Sequence, residues 1–160
     1  MCLMEFFKLF TKKPKKIEAK MNEVNDTPMI SIKDYLTAGG DYPDRANHPE
    51  LTEEHKENAK ELLKRVEALL KELGIDSVKL TSGWRPVGVK GGAVKSAHME
   101  GKAIDIFDDR YQTLAKRVTL ELLVKYDLYR EDYDDTRGQW SNWVHLQSRP
   151  TKSGKRIFKP

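Results

Sequence analysis

Apolar residues recur at steps of three and four between residues 52 and 74, and this spacing is typical of an amphipathic helix. Thr52 stands where an N-cap is expected, the two glutamates after it favour the positive end of a helix dipole, and Gly74 supplies a stop. The pattern predicts one long helix with a single buried stripe, formed by Ala59, Leu62, Leu63, Val66, Leu69, Leu70 and Leu73.

Short segments at residues 78–80, 103–107 and 143–147 predict strands, because apolar and polar side chains alternate along them. Residues 113–126 carry apolar side chains at helical spacing and predict a second helix, with Leu114, Val118, Leu122 and Leu123 on its apolar side. Helices that alternate irregularly with short strands indicate an α+β domain, in which a small antiparallel sheet packs on the long helix.

Strand alternation also groups three side chains that can bind a metal. If the apolar faces of the last two strands cover the long helix, Asp105 and His145 emerge together on the open face. His98 precedes Asp105 by seven residues and is joined to it through Gly101, which permits a tight turn. Two imidazoles and one carboxylate match a tetrahedral zinc site with one open position, the arrangement of catalytic zinc. Spacing alone leaves a second interpretation open, in which the three residues have unrelated core or surface roles.

Charge and composition limit the possible functions. The chain has 160 residues with 29 Lys and Arg against 25 Asp and Glu, a net charge of +4. Residues 1–20 hold six lysines and two glutamates, so the rest of the chain carries 23 residues of each sign. The basic character belongs to this tail, which argues against a nucleic-acid-binding face on the folded body. Cys2 is the single cysteine, so an intramolecular disulfide is excluded.

Residues 1–28 are predicted to be a basic amphipathic or flexible extension, and residues 29–160 the folded domain. The tail either contacts an anionic membrane surface weakly through its aromatic residues and lysines, or packs loosely on the domain. Its apolar part precedes its basic part, the reverse of a secretory signal, so we expect synthesis in the cytoplasm without a cleavable signal peptide. The oligomeric state is left open.

Three sequence blocks carry a family resemblance. Residues 96–105 read SAHMEGKAID and fit the pattern S-x-H-x-x-G-x-A-x-D at every position. Residues 82–86, SGWRP, look like an upstream S-G-[YW]-R turn, and residues 143–146, WVHL, look like a last ligand strand. Together they resemble the zinc peptidases of bacterial cell-wall peptides: D-alanyl-D-alanine carboxypeptidases and dipeptidases, and phage L-alanyl-D-glutamate endolysins, whose fold hedgehog signalling domains share. The resemblance covers roughly residues 30–150 and is nearest to small phage-encoded members.

The resemblance implies a zinc ion bound by His98, Asp105 and His145, and a peptidoglycan stem peptide as substrate at the bacterial cell wall. Arg85 would face the substrate and neutralise its carboxylate or the oxyanion that develops at the scissile carbonyl. A fixed guanidinium suits both tasks because it can donate two parallel hydrogen bonds. Ser96 is expected to cap or orient the turn that carries His98.

The general base departs from the family pattern. Many members have Glu or Asp three residues before the final histidine, where this chain has Asn142, whose amide cannot accept a proton. Asp134 and Asp135 lie just upstream, and we take Asp135 as a tentative base, although both could be solvated loop carboxylates. The chain is therefore expected to be a peptidase with a relocated base, a slow peptidase, or a silent zinc-containing module that grips cell-wall peptide or serves a phage structure.

The remaining aromatic and imidazole side chains are predicted to have no catalytic role. Trp84, Trp140 and Trp143 are expected to form walls and core. His48 and His55 are expected to be solvated, in a polar loop and in the first turn of the long helix.

Overall fold

The computed structural model describes residues 27–39, 45–88, 95–138 and 142–160. Almost all of the predicted extension, residues 1–28, lies outside these ranges, and so does Trp140. The helices are α1 (Ile32–Thr37), α2 (Glu53–Glu72), α3 (Thr113–Arg117) and α4 (Leu120–Lys125), with 3-10 helices at Arg45–Asn47 and Ala97–Glu100. The strands are β1 (Leu80–Ser82), β2 (Ala103–Asp108), β3 (Tyr129–Glu131), β4 (Asn142–Gln147) and β5 (Ile157–Phe158). Within the described ranges no helix has the length and apolar character to cross a membrane.

Helix α2 spans 20 residues and begins as its sequence indicates. The Thr52 hydroxyl accepts a hydrogen bond from the His55 backbone N–H at 3.3 Å, and His55 Nδ1 accepts one from the Thr52 N–H at 3.2 Å, which forms a capping box. After the helix, Gly74 adopts a φ of 67°, and the Ile75 N–H donates to the Leu70 carbonyl at 2.9 Å. The apolar stripe of α2 is buried in the main core.

The five strands form one sheet in the order β1-β2-β4-β3-β5. Strands β2 and β4 pair antiparallel over six consecutive residue pairs, from Ala103 opposite Gln147 to Asp108 opposite Asn142. Four apolar residues of this pair are fully buried in the same core cluster as the α2 stripe; they are Ile104, Ile106, Val144 and Leu146. The protein is therefore a mixed helix and sheet domain, with the core between the sheet and α2.

One strand pair corrects the prediction of an antiparallel sheet. Strand β5 runs parallel to β3, with Glu131 opposite Phe158. The chain turns back after β4, and β5 adds to the free edge of β3, where the Arg130 N–H donates to the Arg156 carbonyl at 2.7 Å. The sequence offered no prediction for β3 or β5, because three and two residues are too few to show alternation.

The predicted single helix over residues 113–126 is wrong, since the segment forms two short helices. Val118 leaves the helical conformation with φ −78° and ψ 84°, and its side chain is buried. Thr119 then caps α4 by accepting a hydrogen bond from the Leu122 N–H. Helical spacing along the segment cannot reveal this break.

The turn that carries His98 ends at Gly101, and this glycine supplies a stability prediction. Gly101 has a φ of 73°, and a Cβ there would lie 2.2 Å from the His55 carbonyl oxygen, whereas Gly74 has a φ of 67° and open space around it. Both Gly→Ala variants carry the left-handed penalty of about 1–2 kcal/mol. Gly101→Ala must also displace the α2 backbone, so we expect it to lose about 2 kcal/mol more in urea unfolding than Gly74→Ala. Equal losses would contradict the close approach.

Candidate metal centre

His98 lies in the 3-10 helix Ala97–Glu100, which two neighbours hold in place. The Ser96 hydroxyl caps this helix by accepting a hydrogen bond from the His98 N–H at 3.3 Å, as expected. Gly101 ends it in the left-handed conformation, and the Lys102 N–H donates to the Ala97 carbonyl at 2.9 Å. The His98 side chain is only 1% exposed, so the turn directs it into the protein interior.

Asp105 and His145 lie directly opposite each other on β2 and β4. His145 Nδ1 is 2.8 Å from Asp105 Oδ1. His98 Nε2 lies 3.3 Å from His145 Nδ1 and 3.3 Å from Asp105 Oδ2. The structure thus brings together the three side chains selected from the sequence, on the face of the sheet away from α2.

Each imidazole has a partner that leaves the correct nitrogen free. His98 Nδ1 donates to the Gly83 carbonyl at 2.7 Å, so Nε2 keeps its lone pair for a ligand. His145 Nε2 donates to Gln147 Oε1 at 3.2 Å, so Nδ1 is the nitrogen that faces Asp105 and can bind a metal ion once it has lost its proton. The Gln147 amide nitrogen donates to the Arg149 carbonyl, which turns its oxygen towards His145.

The three donor atoms fit a tetrahedral metal ion. When a metal ion binds nitrogen and oxygen atoms at about 2.0–2.1 Å in a tetrahedron, any two of these ligand atoms lie about 3.3 Å apart. The observed spacings of 2.8, 3.3 and 3.3 Å are close to this value. Within the described part of the chain, these are the residues grouped closely enough to hold a metal ion. Three ligands leave a fourth position free.

Burial and mutual interaction shift the pKa values of all three ligands. Burial alone raises the pKa of Asp105, but the neighbouring His98 and His145 outweigh it and hold that pKa well below its usual range. Burial lowers the pKa of His98 and outweighs the effect of Asp105. For His145, burial acts in the same direction, but its hydrogen bond to Asp105 raises the pKa above the ordinary value. A buried carboxylate is thus kept charged among imidazoles, a donor set suited to a divalent cation.

Arg85 lies beside the centre. Its Nη2 donates a hydrogen bond to the Ser96 hydroxyl at 2.8 Å. Burial is the main cause of the lowered pKa of His98, and the positive charge of Arg85 adds to that lowering. The backbone of its turn is held by Arg45, a buried arginine whose Nη1 donates to the Ala38 and Trp84 carbonyls, both at 2.8 Å. Ser96 therefore holds the guanidinium of Arg85, while Arg45 holds the backbone of the turn that carries it.

The carboxylates considered as a base lie in the turn after β3. Asp134 is exposed and pairs with Arg137 at 2.9 Å. Asp135 is exposed in the turn after β3, and its role as the base stays a prediction. Asn142 is buried, and its Nδ2 donates to the Asp109 carbonyl at 2.9 Å, so its amide joins β4 to the loop after β2.

The expectation that His48 and His55 are solvated is wrong. Both are half-buried, and their rings lie 5.9 and 5.8 Å from the ring of Trp84, which is itself 1% exposed. Trp84 belongs to the core as predicted, and the imidazoles cover its indole. Their spacing in the sequence carries no sign of this, because the indole reaches them only through the tertiary fold.

Sequence reasoning missed two residues beside the ligands, Gln147 and Glu131. Gln147 follows His145 by two residues, so strand alternation places both on one face and could have indicated it. Glu131 lies on β3, next to β4, and nothing in its local sequence indicates that pairing.

A family model described as Peptidase M15 matches residues 42–147, about two thirds of the chain. The chain belongs to the peptidase M15 family. M15 peptidases are metal-dependent, and the matched segment contains His98, Asp105 and His145. Comparisons with curated proteins and with solved structures give no significant match. Membership of this family, together with the clustered metal-binding side chains, implies a metallopeptidase.

The Gln147 contact leads to a prediction about metal affinity. Gln147→Leu removes the acceptor of the His145 Nε2–H, so the imidazole loses its fixed tautomer and orientation, and affinity for Zn²⁺ should fall about 10–100-fold. Gln147→Glu keeps an acceptor and should retain the affinity. Competition with a chromophoric chelator measures both variants. If the two bind zinc equally tightly, the contact does not tune the site.

Proposed function

We propose that this M15 protein is a zinc peptidase that hydrolyses amide bonds in peptidoglycan stem peptides, of the D-Ala-D-Ala carboxypeptidase or endolysin type. The observation that carries the proposal is the cluster of three possible ligands, His98, Asp105 and His145. A catalytic zinc site has three protein ligands, whereas a structural site has four. Two imidazoles and one carboxylate are also the nitrogen and oxygen donors that zinc favours.

A bound zinc ion would act as a Lewis acid on the amide carbonyl and lower the pKa of a water molecule beside it to about 7. The residues of the chain have separate tasks. Asp105 offsets part of the charge of the dication, and the two imidazoles are held in the correct tautomer by Gly83 and Gln147. Arg85 offers a fixed guanidinium to the substrate carboxylate or to the oxyanion, which supports a peptide substrate.

A second candidate function is a silent module that binds cell-wall peptide without cutting it. The observation in its favour is Asn142, which stands at the usual position of the base and uses its amide in a structural hydrogen bond to Asp109. A positioned base contributes typically 10²–10⁴ in rate, so a chain without one would cut very slowly.

Digestion of purified peptidoglycan separates the two functions. We expect the zinc-loaded protein to release fragments with new peptide termini, found by mass spectrometry, and the mass of each fragment identifies the bond that is cut. Chelation should abolish the cleavage and added zinc should restore it.

Asp105→Ala is the control, since it removes a ligand and the site's negative charge, and it should neither cut nor hold one zinc per chain. Intact muropeptides together with retained binding to the wall would support the silent module. Cleavage that continues unchanged in Asp105→Ala would contradict the metal site.

We also propose the bacterial cell wall as the place of action, and a phage-encoded origin fits the small size of the domain. Residues 1–20 carry the lysine surplus, and we propose that they help the protein approach anionic membrane or wall polymers.

A further inference from the structure

The open face of the sheet carries a row of side chains that extends beyond the ligands. Strand register places Asp105 opposite His145. Strands β3 and β4 pair Arg130 with Leu146, so the next step along these antiparallel strands sets Glu131 beside His145. Glu131 in turn lies opposite Phe158 of β5. Because paired residues point to the same face of a sheet, Glu131 follows the two ligands across this surface.

The surroundings of Glu131 leave its carboxylate available. The residue is half-buried, and its carboxylate makes no hydrogen bond or ion pair with any other residue in the described ranges. The rings of His145 and Phe158, its two neighbours in the row, lie edge to face with centroids 6.1 Å apart. A partly desolvated carboxylate without a structural partner, next to a metal ligand, is unusual unless it has a task in the site.

The charge of Glu131 and the charges of the ligands affect one another's pKa values. Burial raises its pKa, the negative charges of Asp105 and Asp135 add to this effect, and His145 opposes it. Glu131 also contributes to the raised pKa of His145. The position of the carboxylate itself follows from the strand register, which places Glu131 next to β4 and opposite Phe158.

We propose that Glu131 is the general base of the reaction, an inference that rests on the proposed peptidase function. Its carboxylate takes a proton from the attacking water while the water oxygen bonds to the amide carbonyl carbon. It then passes that proton to the leaving nitrogen as the C–N bond breaks, so one water is consumed and an amine and a carboxylic acid form. Glu131 thus takes the task that Asn142 cannot perform, from the neighbouring strand.

Asp135 is the competing residue and provides the matched control. Both Glu131→Gln and Asp135→Asn exchange a carboxylate for an amide of nearly the same shape. Asp135 is exposed in the turn, whereas Glu131 is half-buried in the sheet beside β4. Both variants lose one negative charge, so a difference in activity between them shows the effect of where the carboxylate lies.

The first measurement is peptidoglycan cleavage by the zinc-loaded proteins. Glu131→Gln should lose about 10²–10⁴ in kcat, because the base acts in the transition state, with KM, zinc content and urea midpoint close to wild type. Asp135→Asn tests the competing assignment and should lose clearly less activity than Glu131→Gln. Cleavage by Glu131→Gln within about threefold of wild type, or equal loss in both variants, overturns the proposal.

The second measurement needs no substrate. In the cobalt-loaded protein, visible absorption follows ionisation at the metal as pH changes. Glu131→Gln removes a nearby negative charge, which favours loss of a proton from the metal site, so the midpoint of the spectral change should move to lower pH by about one unit. Asp135→Asn should move the midpoint less than Glu131→Gln does, and an equal midpoint in all three proteins overturns the proposal.

The two measurements separate failure of the inference from failure of the proposed function. If wild type cleaves peptidoglycan but Glu131→Gln does so equally well, the base is another residue and the peptidase function stands. If wild type cleaves nothing, the peptidase function and a base role for Glu131 both fail. The cobalt spectra then show whether Glu131 still belongs to the metal site of a silent module.

Discussion

The antiparallel pairing of β2 with β4 is the constraint on which the structure depends. Its register sends Ile104 and Val144 into the core with α2, and the same register sets Asp105 opposite His145 on the other face. A slip of one residue would exchange the two faces, burying a carboxylate and an imidazole under the helix and exposing the apolar residues. The free energy of apolar burial therefore also maintains the geometry of the metal ligands.

The third ligand depends on a different kind of support. His98 comes from a short 3-10 helix outside the sheet, where no long ladder of hydrogen bonds is present. Ser96 caps this helix and also accepts a hydrogen bond from Arg85, so one hydroxyl couples the position of a ligand to that of the guanidinium. The carbonyl of Gly83, in the arginine turn, fixes the tautomer of His98. The turn that carries Arg85 and the 3-10 helix that carries His98 thus form one structural unit.

The far edge of the sheet carries a second carboxylate, that of Glu131, beside the ligands. Strand β3 lies beside β4, and β5 covers the outer edge of β3, so Glu131 has strands on both sides. Glu131 is half-buried opposite Phe158, and reduced contact with water strengthens electrostatic interactions. A base supplied from a neighbouring strand requires no carboxylate within β4, and Asn142 is then free to hold the loop after β2.

The ligand set could be proposed from alternation along two strands and from the turn between His98 and Asp105, and the family motif favoured it over unrelated roles for the three residues. The long stripe of α2 could be predicted because its period repeats over 20 residues. The break at Val118 and the parallel strand β5 could not, since each depends on contacts with distant parts of the chain. Glu131 stands 14 positions from His145 in the sequence, and only the pairing of β3 with β4 makes the two neighbours. The sequence by itself determined which side chains could hold a metal, whereas only the tertiary structure decided which carboxylate lies beside them. The reason is that strand pairing is a long-range interaction, and a strand of three residues is too short to show a pattern from which its partner could be predicted.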